Sequence, residues 1–228
     1  MESESGNVNM GIVNEKTENE KVAIEKVANE KVENVKIESI KAESTKVESA
    51  NAENTELTAR GKTVVLGNNI DTDQIYPGRY LALVKPEEIK EHCLEGCDPA
   101  IHTSFKKGDI IVAGTNFGCG SSREHAVIAL MHMGAGVILA DSFARIFYRN
   151  SFNLGLPLLI CKGISKEVNA GDELEVGIES GTVRNLTQNK SYQCECIGDY
   201  ALDILKAGGI KPLMRRRVES GEFENKKL

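Results

Sequence analysis

The chain has 228 residues with 28 Lys and Arg against 34 Asp and Glu, a net charge of −6, and this acidic balance argues against a nucleic-acid binder. No apolar run approaches the roughly 20 residues of a membrane span, and the N-terminus has neither an apolar signal core nor the arginine-rich, acid-poor character of a transit peptide, so the expectation is a cytoplasmic protein with no membrane attachment. Six cysteines without a secretion signal read as reduced thiols, and Cys93 and Cys97 beside His92 lack the second ligand pair of a zinc site, so no metal is assigned to this chain.

Residues 1–60 contain no aromatic residue, no Pro and no Cys. Glu20–Ile24, Glu25–Asn29 and Glu30–Asn34 form three tandem five-residue units. A step of five residues turns a helix by about 140°, so Val22, Val27 and Val32 share no face and build no coiled-coil seam. Such a segment buries too little apolar surface to offset chain entropy, and it reads as a low-complexity, disordered extension. Residues 61–228 carry every Pro, aromatic and Cys, and suit one domain.

Within that domain, Lys62–Leu66 reads as the first strand. Asp71–Gly78 is rich in turn formers and reads as an exposed loop, in which Asp71 and Asp73 either bind a cation or cap turns. Residues 86–96 form a helix, with Pro86 in its first turn and Gly96 at its end. Asp109–Ala113 is a buried strand. The glycine-rich turn Gly114–Gly120 follows and leads into a helix predicted from Ser121 to Met133. Val137–Ala140 is the next strand, and the strand–helix–strand order predicts parallel pairing. A helix capped by Asp141 or Ser142 runs to residue 150, and Leu158–Cys161 is a further strand. Glu173–Ile178 and Thr182–Leu186 make a hairpin, Asp199–Ala207 is a short helix, and Arg215–Arg217 reads as a solvated basic tail.

The turn and helix start from Gly114 to His125 are the candidate site. Glycines let the backbone approach a ligand closely, and unpaired N–H groups at a helix start favour an anion. Arg123 adds a fork suited to a carboxylate, with the hydroxyls of Ser121 and Ser122 beside it. The same residues fit a capping box, Ser121 at the N-cap and Glu124 three positions on, and spacing alone leaves both readings open. The turn is not a P-loop, because no Gly-Lys-Ser/Thr is present, and Arg123 stands where a dinucleotide fingerprint needs its third glycine.

Three segments in order, Asp71–Leu81, Gly118–Ala126 and Asp141–Phe147, resemble the small-subunit family of 3-isopropylmalate dehydratases in the aconitase superfamily. The resemblance covers about residues 62–218 and leaves the extension outside. It implies an α/β fold, the β/β/α "swivel" domain, packed over a separate aconitase-like large subunit that carries the [4Fe–4S] cluster; none is expected in this chain. It implies a hydro-lyase active only with that partner, moving a hydroxyl between the 2- and 3-positions of isopropylmalate in leucine biosynthesis. Mapped by motif, Ser121 resembles the catalytic base, and Arg123 the carboxylate clamp with Ser122 beside it. Thr72 and Asp73 fall in the substrate-lining loop, and Arg145 is either a substrate-side or second-layer cation or an ion-pair partner. Leu81, Ala82 and Leu83 occupy the loop that sets the substrate. Homoaconitase-type relatives have Arg-Thr after Tyr-Leu, whereas Ala82-Leu83-Val84 stands here and suits an isopropyl group better than a third carboxylate, unless these residues are ordinary core and Arg79 supplies a charge instead. A 2,3-dimethylmalate dehydratase or homoaconitase small subunit, or a carboxylate-binding module without chemistry, are the alternatives.

Overall fold

A computed structural model describes residues 56–222 and organises them around one seven-stranded mixed sheet. The strands are β1 Thr58–Val65, β2 Ile110–Ala113, β3 Val137–Ala140, β4 Leu158–Ile160, β5 Glu173–Gly177, β6 Thr182–Asn185 and β7 Lys190–Gln193, in the order β4-β3-β2-β1-β5-β6-β7. The reading of residues 1–60 as a disordered extension lies outside the described residues as far as residue 55, and its last three, Thr58 to Arg60, belong to β1.

Strand β1 belongs to two kinds of pairing at once. Thr58–Lys62 pairs antiparallel with β5, and Thr63–Val65 pairs parallel with β2. The strand therefore begins four residues before the predicted Lys62, because its first half, TARGK, alternates exposed and half-buried positions and carries little apolar signal. Beyond β2 the pairing continues parallel through β3 to β4, and beyond β5 it continues antiparallel through β6 to β7. The sheet curls until its two edges approach: the Glu195 N–H, two residues past β7, donates to the carbonyl of Ile160 in β4 at 2.8 Å.

Two crossover helices follow strands of the parallel half. Helix α4 (His125–Met133) joins β2 to β3, and α5 (Arg145–Leu154) joins β3 to β4. Both end on a left-handed glycine, Gly134 and Gly155. Strands β2 and β3 are buried along their whole length, the pattern of a sheet covered on both faces. Ile111, Val112, Ile138 and Leu139 are among the core's sealed side chains, each contributing roughly 1.5–3 kcal/mol.

Shorter helices connect β1 to β2: α1 Thr72–Ile75, a 3-10 turn Gly78–Tyr80, α2 Pro86–Glu91 and α3 Ile101–Ser104. Helix α6 (Ile164–Glu167) follows β4. At the C-terminal end, α7 (Asp199–Ala207) matches its prediction, but the predicted basic tail is helix α8 (Ile210–Glu219). Its Leu213 packs with Ile204 and Ala207 of α7, and the Arg217 guanidinium lies 5.7 Å from the centre of the Tyr200 ring. No helix among the described residues is long and apolar enough to cross a membrane.

Candidate active site

The three motif segments leave the carboxyl ends of β1, β2 and β3, and the backbone ties them together. Residues Asp71 and Cys119 form a parallel bridge, as do Phe117 and Phe143. The Gly118 N–H donates to the Ile70 carbonyl, and the Thr72 N–H to the Cys119 carbonyl, both at 2.8 Å. Gly118 has φ +77°, and a Cβ there would lie 2.1 Å from Cγ of Phe147, so only glycine lets the turn lie against α5.

This scaffold presents a compact polar cluster. Arg123 Nε donates to Ser121 Oγ at 2.9 Å, and Arg123 Nη2 pairs with Asp73 Oδ1 at 2.9 Å. The Ser121 N–H donates to Thr72 Oγ1 at 3.0 Å. Thr72 is almost fully buried, so its hydroxyl braces the serine loop from beneath. Gly78 lies against the other side of the guanidinium: a Cβ there would be 3.0 Å from Arg123 Nη1. The Ser122 carbonyl accepts from Asn150 Nδ2 of α5 at 3.1 Å, and the residue itself is exposed.

Three sequence expectations need correction here. Helix α4 starts at His125, four residues after the predicted Ser121, and Glu124 stands at its N-cap with no side-chain capping bond. The Ser121–Glu124 capping box does not form, because Ser121 Oγ is committed to Arg123 and its N–H to Thr72. The box forms instead at Asp71 and Gln74, where the Gln74 N–H donates to Asp71 Oδ1 at 2.7 Å and Gln74 Oε1 accepts from the Asp71 N–H at 3.0 Å. Asp71 is thus a cap and Asp73 an ion-pair partner of Arg123, which separates the two carboxylates suggested as a cation site. Likewise Asp141 and Ser142 do not cap α5, whose N-cap is Ala144. The Asp141 carboxylate accepts from the Gly163 N–H and the Ser165 hydroxyl, tying the loop after β3 to the one after β4.

The structure joins Thr72, Asp73, Ser121 and Arg123, and holds Ser122 beside them. It does not bring Arg145 into that cluster. Arg145 is exposed at the start of α5, where it lines an open groove of about 490 Å³ with Phe143, Tyr148, Arg149 and Ile160. Leu81 and Leu83 lean on the main core, while Ala82 faces outward. The residues that sequence reasoning missed are Asn150, Glu95 and the stacking of His92. Glu95 accepts from the Tyr80 hydroxyl at 3.2 Å and lies 2.7 Å from His92 Nδ1, and the rings of Tyr80 and His92 stack with centroids 3.6 Å apart. Glu95 and His92 are a local i,i+3 pair, but what ties them and Asn150 to the site are contacts across 12 or more positions, to Tyr80 and Ser122, which no local pattern marks.

No group of three or more His, Cys, Asp or Glu among the described residues gathers as a metal site. The six thiols are free; Cys93, Cys161 and Cys194 are buried, and burial pushes the Cys93 thiol well above its usual range.

Known proteins resemble the chain along most of its length. The Aconitase C-terminal domain family matches residues 7–163. The isopropylmalate/citramalate isomerase small subunit of Methanocaldococcus jannaschii is 48% identical over 163 residues, covering 72% of this chain and 97% of that protein. The methanogen homoaconitase small subunit of Methanothermobacter thermautotrophicus is 46% identical, covering 71% and 94%. The crystal structure of a 3-isopropylmalate dehydratase chain from Methanocaldococcus jannaschii superimposes with a TM-score of 0.70 at 39% identity, covering 74% of this chain and 99% of that one.

Proposed function

The chain belongs to the aconitase C-terminal domain family, with small subunits of its dehydratases and isomerases as relatives, and we propose that it is the small subunit of a 3-isopropylmalate dehydratase. One observation supports this above the rest: a serine hydroxyl, fixed 2.9 Å from an arginine Nε, on a glycine turn at the carboxyl end of a parallel strand.

A free serine hydroxyl is far too weak an acid to serve as a base at neutral pH. Arg123 supplies the compensating charge directly, because its Nε–H already points at Ser121 Oγ and stabilises the alkoxide form. That contact carries the role that the sequence assigned to the helix start, which lies four residues further on. The alkoxide takes the proton from the carbon next to a substrate carboxylate. The same guanidinium, through Nη1 and the edge shared with the exposed Asp73, offers the fork for that carboxylate. Exposed ion pairs are weak, so Asp73 holds Arg123 in place without competing strongly with a diacid. Thr72 acts by position, holding the Ser121 loop, and the exposed Ser122 hydroxyl donates to the substrate beside it. Arg145 stands apart from this chemistry.

This chain's cysteines do not fit a [4Fe–4S] cluster, for Cys161 and Cys194 are hydrogen-bonded to each other in the core and no three donors converge among the described residues. The cluster, and the Lewis acidity that lets hydroxide leave, therefore belong to an aconitase-like large subunit that roofs the site. The relatives' names differ in substrate, and the loop Leu81, Ala82 and Leu83 favours an isopropyl group over a third carboxylate. A cytoplasmic location and a domain preceded by a low-complexity extension complete the reading. Mixing the chain anaerobically with such a large subunit and following isomerisation of 2- to 3-isopropylmalate tests it. Turnover is expected only with both chains present; turnover by this chain alone rejects the subunit assignment.

A further inference from the structure

The substrate loop hangs from a second cluster that the proton chemistry does not use. Glu95 follows α2 and is fastened to the site's own scaffold by its neighbours: the Leu94 N–H donates to the Ile75 carbonyl at 2.7 Å and the Gly96 N–H to the Gln74 carbonyl at 3.2 Å. Its carboxylate pairs with the Arg79 guanidinium, accepts from the Tyr80 hydroxyl and lies against His92 Nδ1. The Arg79 guanidinium carbon also sits 4.7 Å from the centre of the Tyr80 ring, and that ring stacks on His92. Three side chains are thus layered and closed by a single carboxylate. Tyr76 adds a fourth anchor, its buried hydroxyl donating to the Tyr80 carbonyl at 2.9 Å.

The place of this cluster gives it consequence. Gly78 lies against Arg123, Arg79 is the next residue, and Leu81 to Leu83 follow at once. Two cations flank the substrate loop: Lys85 at its far end lies 3.3 Å from Glu88, and Arg79, on the side of Gly78 and Arg123, is held by Glu95. We propose that Glu95 is a specificity-determining positioning residue, which binds Arg79 so that the loop offers the substrate's variable group an apolar surface without a free charge. This rests on the dehydratase reading above. Without Glu95, Arg79 keeps its aromatic partner but loses its counter-charge, and a carboxylate on the substrate's variable arm becomes the nearest replacement.

The test uses the complete two-subunit complex and two acids: 3-isopropylmalate, and a malate carrying a carboxyethyl group in place of isopropyl. Wild type should favour the alkyl acid. Glu95→Ala should lower the ratio of kcat/KM for alkyl over carboxyalkyl acid about three- to fivefold, the scale of an exposed ion pair, through KM and with kcat for the alkyl acid little changed. Glu95→Gln, which keeps hydrogen bonds but no charge, should fall between. Adding Arg79→Met to Glu95→Ala should restore the wild-type ratio. A merely loosened loop would raise KM for both acids alike and would not be rescued by removing Arg79. An unmoved ratio with wild-type turnover intact, or a shift that persists in the double variant, overturns the role of Glu95. A wild-type complex without turnover on isopropylmalate overturns the dehydratase reading and this inference with it.

Discussion

The two halves of the sheet share β1 and differ in nearly everything else. The parallel half has short strands, of which β2 and β3 are buried end to end, and its loops carry every residue of the polar cluster. The antiparallel half alternates buried and exposed side chains along β5 and β6 and contributes none of them. Parallel strands direct all their carboxyl ends to one rim, so loops after β1, β2 and β3 converge there as a matter of topology. An antiparallel meander sends alternate turns to opposite rims and cannot gather three consecutive loops. The difference teaches that chemistry and scaffolding are divided within one sheet, and substitutions should separate them.

The largest expected effect is in the parallel half. Ser121→Ala should lower kcat of the reconstituted complex by about a thousandfold, within the range for loss of a positioned base, while its thermal midpoint stays at the wild-type value. Unchanged turnover would remove Ser121 from the chemistry. Next, Leu139→Ala in the sealed β3 should destabilise by about 2–5 kcal/mol in denaturant titration, and this half would then prove indispensable to fold as well as site. Arg123→Lys should follow, lowering kcat/KM about ten- to a hundredfold, because an ammonium cannot hold Ser121 Oγ and a carboxylate in one plane.

Asp172 is the corresponding test in the antiparallel half. Burial works to raise its pKa, but bonds from the Asn169 N–H and the Asn185 and Gln188 side-chain amides, with Lys190 nearby, outweigh it and hold the carboxyl below its ordinary range. A lowered folded-state pKa means that its stabilisation is present above the ordinary carboxylate range and is lost as pH falls through the lowered value. Asp172→Asn should destabilise by about 1–3 kcal/mol at neutral pH, with the gap to wild type narrowing in acid and with kcat unchanged. Unfolding curves at neutral and acid pH, set beside turnover, check all three. A loss of turnover larger than the loss of folded protein would break the division between the halves.

The legibility of the sequence followed the same division. Strand β3 matched its prediction to the residue because a fully apolar tetrapeptide between a glycine and a polar turn has few other fates. Helix α7 matched because a glycine ends it. Strand β7, Lys190–Gln193, was missed because an edge strand with three of four residues exposed shows no apolar period. Helix α8 was read as a tail because three consecutive arginines mask the single buried Leu213. At the site, residue types pointed to Ser121 and Arg123, but the capping box was a false local signal. Its competitor, the hydroxyl of Thr72, lies 49 positions away, and no local pattern can reveal a bond across that distance.

The smallest expected effect lies on the shared strand itself. Arg60, in the antiparallel half of β1, places Nε and Nη2 each 2.9 Å from Glu173 Oε1 across the β1–β5 ladder. Both side chains are largely in solvent, where screening and side-chain entropy offset most of the Coulomb attraction. Arg60→Ala should therefore cost less than about 1 kcal/mol, shrink further at high salt and leave turnover untouched. The Thr58–Lys62 register is fixed without that pair, by the backbone ladder to β5 and by the Lys62 N–H bond to Asp109 Oδ1 at 3.1 Å. A cost of several kcal/mol, or a fall in kcat at unchanged stability, would mean that strain in the scaffold half reaches the catalytic rim along β1, and the two halves would then have to be treated as one mechanical unit.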